Sequence, residues 1–231
     1  MRILLPKFAL GTMEDPSEVL VRLAELGIEG AAAAGGVLPS AFGHLTFPLV
    51  STVEWEDGTS GKTEKCQVLQ VETVDGQGKL LDTVEKCFAG FFVKEELGGD
   101  NRYRTDAGVL VEATKHLRIG EAPKVLSVYL KRFRGQGMGW EKAGHHVQFA
   151  EGINLRLFMQ EPSHAFYRLC AVIVHDGETL ERGHYYAYVR RETTWYMASD
   201  KIIMEVSVAE VKKAVAVMLF FERYVPKRLP T

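Results

Sequence analysis

The sequence predicts an α+β protein built on a mainly antiparallel sheet, with the helices segregated toward its N-terminal part. Two observations predict this class. Helical patterns occur early, around residues 15–27 and 81–92, whereas the sequence from Val125 onward consists of short apolar strands separated by polar turns. Strands that follow one another through short connections pair antiparallel, because a parallel pair needs a crossover of a dozen or more residues. No segment of the sequence repeats another.

The first predicted helix begins at Asp15, whose carboxylate can cap the free amides of the first turn. Pro16 suits the first helical position because it has no amide to leave unpaired, and Glu18 can complete a capping box. Gly27 is expected to end this helix. The low-complexity stretch 31–36 is expected to be a flexible connection.

The middle of the chain predicts strands and one further helix. Residues 42–74 have a strand-like pattern with a polar loop at 57–61, and residues 81–92 predict the helix, with a loop after it at 98–101.

The C-terminal half predicts a succession of strands, at 125–133, 147–149, 155–158, 167–174, 184–190, 195–198 and 217–223. The glycine-rich residues 135–144 and the polar residues 176–182 predict turns or loops. Ser207 with Glu210 forms a second capping box, which predicts a short helix to about Ala216.

The composition excludes several classes of protein. The 231 residues are 46% hydrophobic and 25% charged with a formal charge of −2, which is ordinary globular composition and argues against a nucleic-acid or membrane-surface protein. No apolar run approaches the roughly 20 residues that span a bilayer. The three cysteines are too few for a disulfide framework, so we expect a reducing compartment, the cytoplasm or the nucleus.

His184 is the first candidate for chemistry. It follows Gly183 at the start of a predicted strand, immediately after a polar loop, so its imidazole is expected at the rim of the sheet. The next short hairpin brings Ser199 and Asp200 back toward that rim. A histidine oriented by a neighbouring polar side chain is two-thirds of a catalytic triad. Spacing alone favours a strand-end histidine without a catalytic role.

Five motifs in a fixed order resemble the ubiquitin-specific protease family, a group of cysteine-type deubiquitinases. They are Tyr129-Leu130-Lys131-Arg132-Phe133, the run from Tyr167 to Gly177, Gly183-His184-Tyr185-Tyr186-Ala187-Tyr188, Trp195-Tyr196 with Ser199-Asp200, and Leu219-Phe220-Phe221-Glu222-Arg223. The helix start with Asp15 and Glu18 is similar to the family's Gln-Gln-Asp-x-x-Glu-Phe segment. The resemblance covers nearly the whole chain and is strongest from Pro123 onward.

The resemblance implies a papain-like cysteine protease fold that hydrolyses isopeptide or thioester bonds after the C-terminal glycine of ubiquitin. His184 would be the general base. Ser199 stands where the family usually has Asp or Asn as the orienting residue, and Asp200 would support the site or take that role itself.

Substrate binding follows from the same resemblance. Asp15 and Glu18 match acidic positions that face the basic tail of ubiquitin, although both also suit a helix cap, and Gly183 and Tyr185 would complete the ubiquitin-binding residues. The implied partners are ubiquitin and ubiquitinated proteins, with no cofactor, no nucleic acid and no membrane.

The family's nucleophile, a cysteine in a Gly-Asn-Thr-Cys-Tyr type of motif, is not found in the sequence. Cys66 lies in a strand-like run, Cys87 in a predicted helix and Cys170 in an apolar strand, none of them a setting for a reactive thiolate. We therefore expect residues 1–231 to be a partial catalytic domain, truncated before the nucleophile and inactive alone. Residues 1–30 would be the remnant of the helical lobe and 40–231 the finger and palm regions.

A structural zinc ion is not expected either. The family's finger region often holds zinc through two Cys-x-x-Cys pairs, whereas this sequence has Glu54 to Gly58 at the first pair and Thr105 and Gly108 at the second. The adjacent His145 and His146 would point to opposite faces of a strand, which makes a poor metal site.

Three interpretations remain open at this point. The first is an enzyme, the larger part of a deubiquitinase whose cysteine segment lies outside these residues. The second is an inactive relative that binds ubiquitin without cleaving it. The third is an unrelated antiparallel α+β protein.

Overall fold

The computed structural model describes residues 14–33, 41–136, 139–162, 165–179 and 182–225. Within these ranges the α-helices are α1 Pro16–Ala33, α2 Val84–Phe91 and α3 Val208–Val211. The strands of the first half are β1 Phe47–Trp55, β2 Gly58–Cys66, β3 Leu69–Glu72, β4 Glu95–Leu97, β5 Tyr103–Arg104, β6 Leu110–Val111 and β7 Ala113–Ile119. Those of the second half are β8 Val125–Lys131, β9 Phe133–Gln136, β10 Gly139–Lys142, β11 Gly152–Asn154, β12 Phe166–Thr179, β13 Arg182–Arg191, β14 Thr194–Ser199, β15 Ile202–Val206 and β16 Ala216–Tyr224. None of the described helices is both long and apolar enough to cross a membrane.

The strands form one large sheet, one small sheet and two separate hairpins. The large sheet has the order β15-β14-β13-β12-β16-β8-β3, with β11 added beside β12. All of its pairs are antiparallel except β3 with β8. The small sheet has the antiparallel order β2-β1-β7-β4, and the hairpins are β5–β6 and β9–β10. The predicted mainly antiparallel α+β architecture is therefore confirmed.

The hydrophobic core lies under the large sheet, where α2 packs against it. Strand β8 is buried at five consecutive positions, from Leu126 to Leu130, because both of its faces are covered. On α2, Val84, Cys87 and Phe88 face the core. The helix begins where the Thr83 side chain accepts a hydrogen bond from the amide of Lys86.

Arg132 is the largest fully buried side chain of the described residues. Its guanidinium donates to the backbone carbonyls of Ala216, Ala143 and His145, at 2.5–2.7 Å. These bonds tie the end of β8 to β16 and to the segment after β10. Burial lowers the pKa of Arg132 to about 10.

Helix α1 begins as predicted but does not end at Gly27. The Asp15 carboxylate accepts hydrogen bonds from the amides of Ser17 and Glu18, and the helix continues to Ala33. A glycine inside a helix costs only about 1 kcal/mol relative to alanine, and Ala31 to Ala33 have the highest helix propensity. The predicted flexible connection is thus helical up to Ala33, and its remainder, residues 34–36, lies outside the described residues.

Three predicted loops are strands in the structure. Residues 58–61 pair with β1, so the loop at 57–61 shrinks to a two-residue turn. Residues 135–144 contain the β9–β10 hairpin. Of residues 176–182, those up to Thr179 extend β12 and Arg182 begins β13, and Asp176 pairs with His184; residues 180–181 lie outside the described residues. Polar and glycine residues suggested loops at all three, but a long antiparallel partner can hold them in strand conformation.

Other predictions were wrong in detail. The predicted strand at 147–149 contains only an isolated bridge, between Gln148 and Thr83. Residues 156–158 form a 3₁₀ turn instead of a strand, because the Asn154 side chain accepts a hydrogen bond from the amide of Arg156. Helix α3 ends at Val211, well before Ala216, which already starts β16. Strand β15 was not predicted at all, since Ile202 to Val206 do not alternate apolar and polar residues.

Candidate active site

His184 lies near the start of β13, which runs between β12 and β14 in the large sheet. On the neighbouring strand β12 it pairs with Asp176. On the other side of β13 runs β14, which ends at Ser199. The side chain of His184 is exposed. The two hairpins β12–β13 and β13–β14 thus position one imidazole at the rim of the sheet.

The imidazole of His184 contacts Ser199 directly. Its Nε2 atom lies 2.7 Å from the Ser199 hydroxyl, so one ring nitrogen is fixed by a neighbouring polar side chain. The other nitrogen, Nδ1, has no hydrogen-bond partner among the described residues. An imidazole held at one nitrogen and free at the other has the geometry of a general base waiting for a proton donor.

Asp200 occupies the two-residue turn between β14 and β15. Its φ of 50° is in the left-handed region, which an aspartate tolerates better than most residues. Asp200 makes no hydrogen bond or ion pair with the described residues. Of the two predicted orienting residues, Ser199 is the one in contact with His184, and the supporting role of Asp200 stays a prediction.

Gly183 has no room for a side chain because the His175 ring packs against it. A Cβ atom at residue 183 would lie 2.2 Å from His175 Nε2, and one at Gly177 would lie 2.2 Å from the Arg182 carbonyl oxygen. The Tyr185 ring also packs on His175, with the ring centroids 4.6 Å apart. Two glycines and one buried histidine therefore set the backbone from which His184 projects.

Lys142 secures this buried histidine. Its ammonium donates to the backbone carbonyls of His175, at 3.0 Å, and Gly177. Burial, and then the charge of Lys142, lowers the pKa of His175 and so favours its neutral form. The roles of His175 and Lys142 were not predicted from the sequence, although Val174 to Gly177 belong to the second of the five motifs.

The start of α1 lies beside this strand. The Tyr129 hydroxyl donates to the Asp15 carboxylate at 2.6 Å. Burial, and then the charge of Asp15, raises the pKa of Tyr185 to about 12. These interactions bring two predicted substrate-binding residues from distant parts of the sequence close together, namely Asp15 and Tyr185. Glu18 is exposed one helical turn further along.

The three cysteines are unsuited to act as the nucleophile. Burial raises the pKa of each thiol, Cys66, Cys87 and Cys170, to about 11. Cys66 and Cys170 donate to backbone carbonyls, those of Val68 and Phe220. None of the three contacts His184 within the described part of the chain. A thiol that keeps its proton at neutral pH is a poor nucleophile.

The positions where a zinc ion would be expected do not fit one. Thr105 and Gly108 form the turn between β5 and β6, and Thr105 accepts a hydrogen bond from the amide of Val109. The Trp55 ring packs on the Tyr103 ring, with centroids 5.5 Å apart. Among the described residues, no group of three or more His, Cys, Asp or Glu side chains could hold a metal ion.

Comparison with known proteins gives both a family and relatives. The ubiquitin carboxyl-terminal hydrolase family matches residues 15–221. Ubiquitin carboxyl-terminal hydrolase 25 of Arabidopsis thaliana is 31% identical over 241 residues, which cover 96% of the chain and 35% of that relative. The chain thus spans about a third of the length of this curated relative.

Solved structures share the fold. The SAGA Ubp8/Sgf11/Sus1/Sgf73 DUB module bound to ubiquitin aldehyde superposes with a TM-score of 0.78 and 20% identity, over 93% of the chain and 50% of the matched chain. A SAGA DUB module bound to monoubiquitin gives a TM-score of 0.79 and 22% identity, over 93% and 49%. The papain-like fold expected from the sequence is therefore confirmed.

Proposed function

Because the chain belongs to the ubiquitin carboxyl-terminal hydrolase family, we propose that it binds ubiquitin and supplies the general base and the orienting residue of a cysteine-type deubiquitinase. The proposed reaction is hydrolysis of the isopeptide or thioester bond after the C-terminal glycine of ubiquitin. The observation that carries the proposal is the 2.7 Å contact between His184 Nε2 and the Ser199 hydroxyl, with Nδ1 left free.

His184 would take the proton of an attacking thiol on Nδ1 and return it to the leaving group, the amine of an isopeptide or the thiol of a thioester. Ser199 would hold the ring in place through Nε2. A serine hydroxyl accepts an imidazole N–H but stabilises the imidazolium less than a carboxylate does. Asp200, the next residue, would add negative charge near that imidazolium.

The nucleophile has to come from a thiol other than Cys66, Cys87 and Cys170. Their raised pKa values and their lack of contact with His184 support this part of the proposal. We accordingly propose that residues 1–231 do not turn over ubiquitin conjugates alone. A cysteine-bearing segment encoded with this chain would make it part of an enzyme, and its absence would make it an inactive ubiquitin-binding relative.

The acidic residues at the start of α1, Asp15 and Glu18, are the proposed contact for the basic tail of ubiquitin. Asp15 lies against Tyr129 and close to Tyr185, and Glu18 is exposed beside them. A cleft lined with acidic groups attracts a basic peptide and orients it toward His184. The free state of all three cysteines supports a location in the cytoplasm or the nucleus.

Calorimetric titration with ubiquitin tests the binding. We expect the chain to bind ubiquitin and E18K to weaken binding about tenfold, because it reverses an exposed charge beside the proposed path of the tail. E85K is the matched control, since Glu85 is an exposed glutamate in the first turn of α2. No binding, or equal effects of E18K and E85K, would contradict the proposal.

Two further measurements separate the enzyme from the binder. A ubiquitin carrying a C-terminal electrophile should form no adduct with this chain at neutral pH, and an adduct at any of the three cysteines would remove the argument for an additional thiol. Reading the genomic sequence upstream of the Met1 codon tests whether a Gly-x-x-Cys-Tyr segment is encoded. In a longer product that contains it, His184→Ala should abolish turnover and leave ubiquitin binding intact.

A further inference from the structure

Strand β15 is an open edge of the large sheet. It pairs with β14 on one side, from Trp195–Val206 to Ser199–Ile202, and within the described residues it has no partner on the other. An open edge presents unpaired backbone amides and carbonyls to any strand that approaches. The register with β14 is regular, so no bulge bends this edge away.

The edge is also apolar. Ile202, Ile203 and Met204 are consecutive, and their side chains are 58%, 72% and 49% exposed. Sheet edges in soluble proteins are normally protected by prolines, bulges or charged residues at their centre. The exposed run Ile202 to Met204 has none of these devices. Two charged residues flank it, Lys201 in the turn before β15 and Glu205 as the fourth residue of the strand.

We propose that β15 binds the β15 strand of a second copy of this chain, antiparallel and centred on Ile203. In that register Ile202 lies opposite the partner's Met204, and Lys201 lies opposite the partner's Glu205. Two-fold symmetry repeats both pairs. Because side chains alternate between the faces of a strand, one face of the joined strands carries Ile202 and Met204 of both copies. The other face carries the two Ile203 side chains between two Lys201–Glu205 ion pairs.

The charges select this register. Lys201 and Glu205 are exposed and form no ion pair with the described residues of their own chain. Centring the pairing on Met204 would place Lys201 opposite the partner's Ser207, and a shift by half a step would place Glu205 opposite the partner's Ile202. Only the register centred on Ile203 pairs opposite charges, and opposite charges directly across a strand pair attract while like charges repel.

A pair of five-residue strands makes a small interface, so the dimer belongs to the weak, reversible class. The joined sheets place Ser199 of each copy close to the contact, because Ser199 pairs with Ile202 in β14–β15. The inference does not rest on the proposed deubiquitinase function, and it holds for an enzyme or a binding protein alike.

Sedimentation equilibrium of K201E and E205K tests the proposal. In a homodimer of K201E, both contacts between residues 201 and 205 join two negative charges. In a homodimer of E205K, both contacts join two positive charges. Each variant alone should dimerise about tenfold more weakly than the original chain. An equimolar mixture should restore association as a heterodimer, because every 201–205 contact then joins opposite charges, and the double variant K201E/E205K should restore the homodimer.

Leu157→Lys is the control for unspecific apolar association, since Leu157 is 80% exposed far from β15 in the sequence. It should leave the dimer unchanged, whereas Ile203→Lys should disrupt it by placing two ammonium groups on the two-fold axis. The proposal is overturned if the original chain is monomeric up to about 1 mM. It is equally overturned if K201E and E205K associate like the original chain or if their mixture gives no heterodimer.

Discussion

His184 Nε2 lies 2.7 Å from the hydroxyl of Ser199, across the β13–β14 hairpin. The contact depends on register, because Ala187 pairs with Ala198 and thereby puts His184 and Ser199 on the same face of the sheet. A slip of one residue would turn the two side chains to opposite faces. The candidate site is therefore a product of sheet pairing.

Replacing Ser199 by alanine should release the His184 ring. With the hydroxyl gone, Nε2 loses its partner, and the ring samples more orientations and both neutral tautomers. Nitrogen-15 NMR of the imidazole should show the Nε2 and Nδ1 shifts moving toward those of a free histidine. Ser60→Ala on β2 is the control and should leave the His184 signals in place. Unchanged signals in Ser199→Ala would mean that the contact does not hold the ring in solution.

Gly183→Ala should destabilise the fold by about 1–3 kcal/mol, the usual cost of overpacking. The added methyl group would lie 2.2 Å from His175 Nε2 and 2.7 Å from the Asp176 carbonyl oxygen, so the strand or the ring has to move. Gly61→Ala on β2 is the matched control, because nothing lies within 4 Å of a Cβ there. Urea unfolding measures both variants, and equal midpoints would contradict the proposed packing.

His175→Ala in the Gly183→Ala background tests the cause. If the ring of His175 is what opposes the methyl group, removing it should make the two substitutions non-additive, with the double variant less destabilised than the sum of the single ones. Additive losses would point to the Asp176 carbonyl instead.

Much of the fold could be predicted from local patterns. The predicted capping residues Asp15 and Ser207 both precede helices, and the apolar run at 125–131 is a buried strand. The loops were less predictable. Glycine and polar residues at 58–61 and 176–179 suggest turns locally, but strand pairing is a long-range interaction that single-sequence patterns do not report.

The candidate site was predictable in part. His184 and Ser199 could be found because a short hairpin fixes which residues of neighbouring strands meet. The supporting residues His175 and Lys142 could not, because their contacts join the β9–β10 region to β12 across more than thirty residues. Asp15 and Tyr129 are 114 residues apart in the sequence, and their hydrogen bond follows only from the tertiary fold.

Alkaline pH should destabilise the protein through its buried thiols. The folded pKa of Cys87 is raised to about 11 by burial, whereas a thiol in an unfolded chain titrates near 8.5. Because the unfolded state loses its proton first, the free energy of unfolding is undiminished below about pH 8.5 and falls as the pH rises toward 11. For Cys87, which is 1% exposed, the full loss is on the order of 3 kcal/mol.

Urea unfolding between about pH 8 and pH 10, in the presence of a reductant, checks this dependence. The range stops at about pH 10, where an unfolded tyrosine begins to titrate. Above it, Tyr185 and Tyr188, whose folded pKa is raised to about 12, would add a loss of their own. Cys87→Ala should flatten the decline relative to the original chain, even though the cavity it creates lowers stability at every pH. The same slope in both proteins would show that Cys87 does not contribute.

The tip of the small sheet is the end of β1 together with the β5–β6 hairpin, which packs on it through Trp55 and Tyr103. Its stability should be independent of zinc and should depend on this aromatic pair. Thr105 and Gly108 offer no thiolate, so a chelator should leave the melting temperature unchanged within about 1 °C. Trp55 packs on Tyr103 at 5.5 Å and also covers Gly58, where a Cβ would lie 2.5 Å from its ring. Such a pair contributes about 0.5–1.5 kcal/mol beyond its buried area, so a double-mutant cycle of Trp55→Ala and Tyr103→Ala should give a coupling energy in that range. A melting temperature that falls with chelator, or a coupling energy near zero, would contradict this account of the tip.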